Sequence, residues 1–346
     1  MPFDSVVGHG PAREALARAC REGRLPHALL LTGPDGVGKR TLALELARGL
    51  LCETGTGEPC GSCRACSRTA RALLEAPERE EKARGRSEEP TGLNLRLHPD
   101  LMLVRPWPQS IKIEQVRQLV GEVVSRPFES KARGFVIDEA QLMTEQAQNA
   151  LLKSLEEPPP RSYLFLVTAA PQALLPTIRS RCQRVRLGPL PARLLEAHLR
   201  ERGLDPGEAR LRASLSGGSL GAALQLDSEA YRGIRERLLA LLEGLPGSSA
   251  PKRLEAGDWL YELEAPVEAL TALRSLLRDV VALHLGAAPE AALNADVAER
   301  LGALARGPLG PRAEALAARA GEAREALRVN AHKLLTLDLL ADSLAG

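Results

Sequence analysis

Four cysteines lie close together in the first quarter of the chain, at Cys52, Cys60, Cys63 and Cys66. Their spacing is C-x7-C-x2-C-x2-C, and the short turns CGSC and CRAC allow the sulfur atoms to converge. Four thiolates match the closed tetrahedral shell of structural Zn²⁺. A C-x-x-C oxidoreductase would need one such pair and not a fused set. The cluster therefore predicts one structural zinc ion, with four reduced structural cysteines as the alternative, and Cys20 and Cys182 are expected to be packed thiols.

A glycine-rich stretch, GPDGVGKRT at residues 33–41, nearly fits the phosphate-binding pattern G-x-x-x-x-G-K-[ST]. In that pattern, backbone N–H groups and the lysine hold the phosphates, and the hydroxyl that follows the lysine binds Mg²⁺. The glycines and the lysine are present, at Gly33, Gly36, Gly38 and Lys39. Arg40 stands where the hydroxyl is required, and a helix turns Thr41 by about 100° away from that position. This stretch predicts a retained turn that holds phosphate weakly or not at all, without hydrolysis.

An acidic pair favours ATP hydrolysis, in contrast to the glycine-rich stretch. In FVIDEA, Asp138 and Glu139 follow an apolar strand, as in the second half of an ATPase site. There the aspartate serves the water shell of the metal and the glutamate polarises the attacking water. A solvent-facing acidic pair at the end of a strand is the alternative, so the pair says more about fold than about turnover.

A third candidate site is the arginine-rich stretch TIRSRCQRV, with Arg179, Arg181 and Arg184. It follows a proline-rich turn, which places the arginines at a loop or the edge of a strand. Arginines in such positions are usually solvated. From the residues alone the stretch carries no function.

The elements around these residues alternate between helices and strands. ALLLTG and GFVID predict buried strands, RTLALELARGLLC predicts a helix, and Thr144 is a plausible N-cap for EQAQNALLKSLEE. YLFLVTAA predicts a further strand, and this alternation indicates an α/β layer with a parallel sheet. Residues 70–97 form a charged insertion, predicted to be exposed and partly helical or disordered. After about residue 190 helical patterns continue to the end, and in APVEALTALRSLLRDVVALHLG the residues Leu270, Leu273, Leu277 and Val280 are spaced for one helix face.

The composition excludes several classes of protein. A chain of 346 residues has room for two or three domains of roughly 100–200 residues each. Lys and Arg exceed Asp and Glu by only 2, so a nucleic acid would have to meet a local basic patch. The apolar runs are far shorter than the ~20 residues of a membrane span, and MPFDSVVGHG lacks a signal-peptide core. We therefore expect a cytoplasmic protein without membrane association, in which a reducing environment favours metal over disulfides.

Several motifs follow one another in a specific order: FDSVVGH, LPHALLLTGPDGVGK, the cysteine cluster, HPD, VIDEAQLM, NALLKSLEEPP and SRC. Together they resemble the subunits of bacterial clamp loaders of the AAA+ class over residues 3–190. Further on, SLSGGSLGAAL is similar to the third helix of the lid domain, and LRVNAHKLLTLDLL to the last collar helix. The resemblance implies an AAA+ α/β domain at 1–189 with a zinc module at about 50–70, a helical lid at 190–231 and an all-α collar at 232–346.

Two types of subunit share this outline, the γ/τ ATPase and the δ′ subunit, which contributes little or no hydrolysis. An ATPase of the family carries Lys-Thr or Lys-Ser in the loop, where this chain has Lys39-Arg40. It also carries a lid arginine just after GSL, where this chain has Gly221. Because both departures remove ligands of phosphate or metal, the resemblance favours the δ′ type. A γ-type ATPase is the alternative, supported by Lys39 and the Asp138-Glu139 pair.

The resemblance also implies a role for Arg181, the arginine of SRC, which would reach the ATP of a neighbouring subunit. An arginine supplied in trans stabilises charge on the transferring phosphoryl group. The implied partners are γ/τ and δ subunits in a hetero-pentamer and, through this complex, a sliding clamp and primed DNA. The resemblance also implies that this chain itself does not hydrolyse ATP with Mg²⁺. A second alternative is a zinc-dependent nucleic-acid-binding module, but 3% aromatic residues leave few platforms for base stacking.

Overall fold

The computed structural model describes residues 6–86, 94–244, 248–263, 266–328 and 332–345. The chain divides into two compact units. The first unit contains residues 1–194 together with 219–221, and the second contains 195–218 together with 222–346. The three-domain division at residues 189 and 231 stays a prediction.

The first unit is built on one six-stranded sheet in the order β2-β3-β4-β5-β1-β6. The strands are β1 (Ala28–Thr32), β2 (Leu95–His98), β3 (Leu101–Val104), β4 (Arg133–Ile137), β5 (Ser162–Thr168) and β6 (Gln183–Arg186). Strand β2 runs antiparallel to β3, and the other neighbours pair in parallel. The predicted α/β layer is confirmed, although the sheet is mixed because its edge strand β2 is antiparallel.

Both faces of this sheet are covered, which explains why its central strands have no polar face. In β1 every residue is buried. Leu29 and Leu31 belong to one apolar core, and Ala28 and Leu30 belong to the other. Because successive side chains of a strand point to opposite faces, an unbroken apolar run is what a strand buried on both sides requires.

Six helices of the described chain belong to the first unit: α1 (Gly10–Arg21), α2 (Lys39–Leu51), α3 (Arg64–Arg86), α4 (Ile113–Val123), α5 (Glu145–Glu156) and α6 (Pro176–Arg181). Thr144 caps α5 as predicted, because its hydroxyl accepts a hydrogen bond from the backbone N–H of Ala147 at 3.3 Å.

The charged insertion at 70–97 is partly helical, as predicted, because α3 continues through it to Arg86. Its last residues were wrongly assigned, since β2 begins at Leu95 and adds an edge strand to the sheet. Residues 87–93 lie outside the described part of the chain.

The helices that follow the sheet in the chain are α7 (Ala192–Glu201), α8 (Pro206–Leu215), α9 (Leu220–Gln225), α10 (Ser228–Gly244), α11 (Ala250–Glu262), α12 (Pro266–His284), α13 (Ala298–Arg306), α14 (Ala313–Arg328) and α15 (Lys333–Ala345). The centre of the second unit is α12, whose predicted apolar face is buried, at Leu270, Leu273, Leu277 and Val280. Of the segment LRVNAHKLLTLDLL, residues 327–328 belong to α14 and the part from Lys333 belongs to α15, while residues 329–331 lie outside the described part of the chain. Among the described helices, none combines the length and apolar character needed to cross a bilayer.

Candidate functional site

The glycine-rich loop lies where the sequence predicts, between β1 and α2. Gly38 is the N-cap of α2 in the left-handed conformation, and Lys39 is the first helical residue. Position 33 also requires glycine, because a Cβ there would lie 2.0 Å from the carbonyl oxygen of Leu187. Thr41 is half-buried in the first turn of α2. The strand, loop and helix together form the geometry of a phosphate-binding loop.

Lys39 is engaged by its own loop. Its Nζ donates hydrogen bonds to the carbonyl oxygens of Gly33 at 2.8 Å and Pro34 at 2.6 Å, and lies 3.5 Å from a carboxylate oxygen of Asp35. An ammonium group has three donors, so these contacts use all of them. The side chain is buried, and burial lowers the pKa of Lys39. The ammonium therefore donates its hydrogen bonds inside the loop and does not extend away from it.

Arg40 is paired with the acidic residue that a metal site would use. The Nη1 of Arg40 donates to Oδ2 of Asp138 at 3.2 Å. Asp138 is buried at the carboxyl end of β4, and β5 lies between β4 and β1 in the sheet. A second arginine, Arg105 just after β3, places its Nε 3.8 Å from the same carboxylate oxygen. Arg40 and Arg105 thus balance the negative charge of Asp138, which Mg²⁺ would balance in a metal site.

Gly221 closes over the loop within the first unit. Its backbone N–H donates to the carbonyl oxygen of Gly36 at 3.0 Å. A Cβ on Gly36 would lie 2.1 Å from Oγ of Ser219, and a Cβ on Gly221 would lie 3.2 Å from Cα of Gly36. Gly36 also has a φ of 69°, in the left-handed region. In this arrangement a side chain at position 221 would make a tight contact with the backbone of Gly36, which would have to shift by a few tenths of an ångström.

Glu139 differs from Asp138 although the two are adjacent. It is exposed and has a φ of 51°, a left-handed conformation that non-glycine residues adopt at a cost. Desolvation and the neighbouring charge of Asp138 raise the pKa of Glu139. Glu139 is thus exposed, whereas the carboxylate of Asp138 is buried and paired with arginine.

The four cysteines of the predicted zinc module converge. Their Sγ atoms all lie within 4.8 Å of one another, and those of Cys52 and Cys63 are 3.9 Å apart. In a tetrahedral Zn–S₄ shell with bonds of ~2.3 Å, neighbouring sulfurs are about 3.8 Å apart. Backbone N–H groups also point at the sulfurs, with Cys60 donating to Cys52 at 3.4 Å and Cys63 to Cys60 at 3.3 Å. The donor set and its spacing fit a tetrahedral metal ion.

The thiols of this cluster ionise unequally. Hydrogen bonds from the backbone N–H groups of Cys63 and Ser62 lower the pKa of Cys60 to about 6, whereas burial raises that of Cys66 to about 12. A divalent cation would supply the charge that lets a buried thiol ionise. Outside the cluster, burial raises the pKa of Cys20 to about 11 and of Cys182 to about 12, which is the behaviour of packed thiols.

The cysteine cluster is attached firmly to the helices beside it. Cys52 follows the last residue of α2, and Cys66 lies in the first turn of α3. Arg48 of α2 donates from Nε to the hydroxyl of Thr69 on α3 at 3.1 Å. In the connecting loop, a Cβ at Gly57 would lie 2.4 Å from the carbonyl oxygen of Ala17, so the loop lies directly on α1. The cluster therefore joins three helices of the first unit.

Arg181 lies in a different element from the one predicted. It is the last residue of α6 and not part of a loop or strand edge, and β6 begins two residues later. Pro176 at the first helical position favours this start, because its fixed φ suits a helix N-terminus. The Nη2 of Arg181 lies 2.8 Å from Oε1 of Glu156 at the end of α5.

Sequence reasoning missed three residues that shape these sites. Arg105 is the second cation beside Asp138, and His9 places its Nε2 3.0 Å from the carbonyl oxygen of Val37 in the glycine-rich loop. Asp100, of the HPD motif, is buried and accepts three backbone N–H groups of the loop before β4. The motifs HPD and FDSVVGH contain Asp100 and His9, so these two could have been noticed, whereas Arg105 lies in no motif quoted above.

The fold and the loop define an α/β protein of the phosphate-binding-loop class, with a helical C-terminal region and a four-cysteine cluster. The family described as "DNA polymerase III, delta subunit" matches residues 8–75 and 67–191. Over 275 residues the chain is 35% identical to the DNA polymerase III subunit delta′ of Bacillus subtilis, which covers 78% of this chain and 76% of that protein.

Two Escherichia coli proteins are similar as well. The subunit delta′ is 33% identical over 288 residues, covering 80% of this chain and 76% of that protein. The subunit tau is 35% identical over 235 residues, but these cover only 33% of its own length. The chain belongs to the δ′ family of DNA polymerase III subunits and is a clamp-loader subunit.

Proposed function

We propose that this chain is the member of its clamp loader that assembles without hydrolysing ATP. In this proposal it combines an AAA+ domain at 1–189, a lid at 190–231 and a collar at 232–346, and it joins γ/τ and δ subunits in a hetero-pentamer. Through the complex it would help to load a sliding clamp on primed DNA in the cytoplasm. The similarity to proteins named delta′ and tau supports this choice of partners.

The ion pair between Arg40 and Asp138 carries the first part of the proposal. Hydrolysis by a phosphate-binding loop requires a metal bound by the hydroxyl after the lysine and by the acidic residue of the second strand. Here the hydroxyl is replaced by a guanidinium, and that guanidinium occupies the acidic residue. The site therefore lacks the hydroxyl ligand for the metal, and its acidic ligand is already paired with Arg40.

Two further contacts support the same conclusion. Lys39 donates to carbonyl oxygens of its own loop, so phosphate would have to compete for it. Gly221 covers Gly36, at the position where the ATPases of the family carry an arginine for the phosphates. Loss of hydrolysis thus does not depend on one substitution. Weak binding of phosphate by the loop N–H groups remains compatible with the proposal.

Arg181 is the residue by which this chain would still take part in catalysis. Its guanidinium is permanently charged and its planar fork suits phosphate oxygens. Placed beside a neighbouring subunit's ATP, it would stabilise charge on the transferring phosphoryl group, an effect on the order of 10³–10⁵ in rate. The chain would then promote hydrolysis at a site that it does not itself contain.

Zinc is assigned a structural role in this proposal. Cys52, Cys60, Cys63 and Cys66 would hold the ion, and four thiolates leave no open position for water or substrate. The bound ion would supply cross-links between α2, α3 and the loop on α1. Its contribution would be to the stability of the first unit and not to a reaction.

The test is ATP hydrolysis by the purified chain. We expect no Mg²⁺-dependent hydrolysis above that of a Lys39→Ala variant. Steady turnover that Lys39→Ala abolishes would instead establish the γ-type ATPase alternative. Co-purification with candidate γ/τ and δ subunits, followed by a clamp-loading assay, tests the proposed assembly.

A further inference from the structure

Helix α6, which carries Arg181, is too short to be stable by itself. It has six residues, and its buried side chain is Ile178. Short helices are marginal because forming the first turn costs more free energy than its few hydrogen bonds return. The position of Arg181 must therefore be maintained by contacts from outside α6, and helix α5 provides them.

The N-terminal end of α6 is held by Gln148 of α5. Gln148 is buried, and its Oε1 accepts a hydrogen bond from the backbone N–H of Leu175 at 2.8 Å. Its Nε2 donates to the carbonyl oxygens of Met143 at 3.2 Å and Ala173 at 3.4 Å. One buried amide thus fixes where α6 begins relative to α5.

The other end of α6 is held by Glu156, the last residue of α5. Its Oε1 lies 2.8 Å from Nη2 of Arg181. The Nη1 of Arg181 donates to the carbonyl oxygen of Thr177 at 3.1 Å and to Oγ of Ser180 at 3.4 Å. Of the five N–H donors of a guanidinium, those on Nε and Nη2 have no hydrogen-bond partner among the residues that the structure describes, although Nη2 is ion-paired with Glu156.

We propose that Glu156 is a positioning residue for Arg181, which rests on the trans-acting role assigned to Arg181 above. The carboxylate orients the guanidinium, so that its remaining N–H donors are presented in one geometry to a neighbouring phosphate. An arginine loses much rotamer freedom when it binds phosphate, and ordering it beforehand lowers that cost.

The expected effect is moderate because the pair is partly exposed. The side chain of Arg181 is 35% exposed and that of Glu156 is 49% exposed. Partly exposed ion pairs of this kind are weak, so losing the pair should slow hydrolysis about two- to fivefold. Because Arg181 acts on the phosphoryl group and not on nucleotide binding, kcat should fall while KM stays unchanged.

The test uses the complex reconstituted with γ/τ and δ subunits and measures its DNA- and clamp-stimulated ATPase. Four variants of this chain are compared: Glu156→Gln, Arg181→Ala, the double variant, and Glu157→Gln as the matched control. Glu157 is exposed, and among the described residues its hydrogen bond is from its backbone N–H to the carbonyl oxygen of Lys153, which is also on α5. All four should assemble like the wild type.

We expect Glu156→Gln to slow the site that Arg181 serves two- to fivefold, so that the kcat of the complex falls by less than with Arg181→Ala, and to add nothing to Arg181→Ala. Glu157→Gln should leave the rate unchanged. A wild-type rate for Glu156→Gln beside a slowed Arg181→Ala would overturn the positioning role alone. The same holds if Glu156→Gln slows both backgrounds by an equal factor, as a purely structural defect would. A wild-type rate for Arg181→Ala would overturn the trans-acting role and the positioning role together.

Discussion

Arg40 and Asp138 are 98 residues apart in the chain, and their side chains form an ion pair with 3.2 Å between Nη1 and Oδ2. Asp138 is buried, whereas the side chain of Arg40 is 51% exposed. The pair stands at the position where a nucleotide hydrolase would assemble its metal site. Arg40 therefore stands where a phosphate-binding loop would carry a hydroxyl, and its guanidinium is paired with the carboxylate of Asp138.

The first prediction concerns the energy of this pair. We expect Arg40→Ala and Asp138→Asn to show a coupling of about 0.5–1 kcal/mol in a double-mutant cycle, since Arg40 is half-exposed and solvent weakens its interaction. The free energy of unfolding of the four proteins, measured by urea denaturation, gives the coupling. Arg40→Lys serves as the matched variant that keeps the charge and loses the planar fork. Additive effects of the two substitutions would show that the contact does not stabilise the fold.

The second prediction is one Zn²⁺ per chain. Protein prepared without chelator should contain about one equivalent of zinc by elemental analysis, and Cys66→Ser should lose it because the remaining shell is incomplete. Removing the metal should also lower the midpoint of thermal unfolding. Cys20→Ser, outside the cluster, is the control and should retain the metal. Wild-type protein without zinc, with all four thiols freely titratable, would contradict the assignment.

The third prediction concerns Asp100 and pH. Burial raises the pKa of Asp100, but hydrogen bonds from the backbone N–H groups of Phe128, Glu129 and Ser130 and the charge of Arg133 outweigh it and hold the pKa below the ordinary 3.8. Because the folded pKa is below the unfolded one, the stabilisation is fully present above pH 3.8 and is lost as the pH falls through the folded pKa.

Asp100→Asn should therefore lower the free energy of unfolding by about 2–4 kcal/mol at neutral pH, because an amide cannot replace a buried carboxylate that accepts three hydrogen bonds. The difference from the wild type should shrink at pH values below 3.8. Denaturant unfolding at several pH values checks this, with the exposed Glu157→Gln as control. A difference that is independent of pH would mean that the charge of Asp100 contributes nothing.

The fourth prediction separates charge from geometry at Arg181. In the reconstituted complex, Arg181→Lys should reduce stimulated ATPase and clamp loading almost as much as Arg181→Ala, because the planar fork is lost while the charge is kept. The loss should be partial, since other sites of the ring would have their own arginines. Arg179→Ala is the matched control, because Arg179 is an exposed arginine of the same helix. A complex with Arg181→Ala that loads clamps at the wild-type rate would leave Arg181 as an ordinary surface arginine.

Local patterns predicted the elements well where one apolar period dominates. The strand ALLLT and the buried face of α12 were predicted because their burial follows directly from the spacing of leucines. The edge strand β2 was missed because it is short and half-polar, and its pairing with β3 stabilises it. The helix around Arg181 was missed for the same kind of reason, since contacts from Gln148 and Glu156 on α5 hold it.

The sequence by itself determined the chemistry that is available. Arg40 in place of a hydroxyl, four cysteines at metal-binding spacing, and glycine at position 221 are properties of residue type, and no fold can change them. Only the tertiary structure decided which residues lie in contact. Arg40 contacts Asp138, Gly221 contacts Gly36, and Arg181 contacts Glu156. Such partners are distant in sequence, and the order of the strands and the packing of helices bring them together, which a local pattern does not encode.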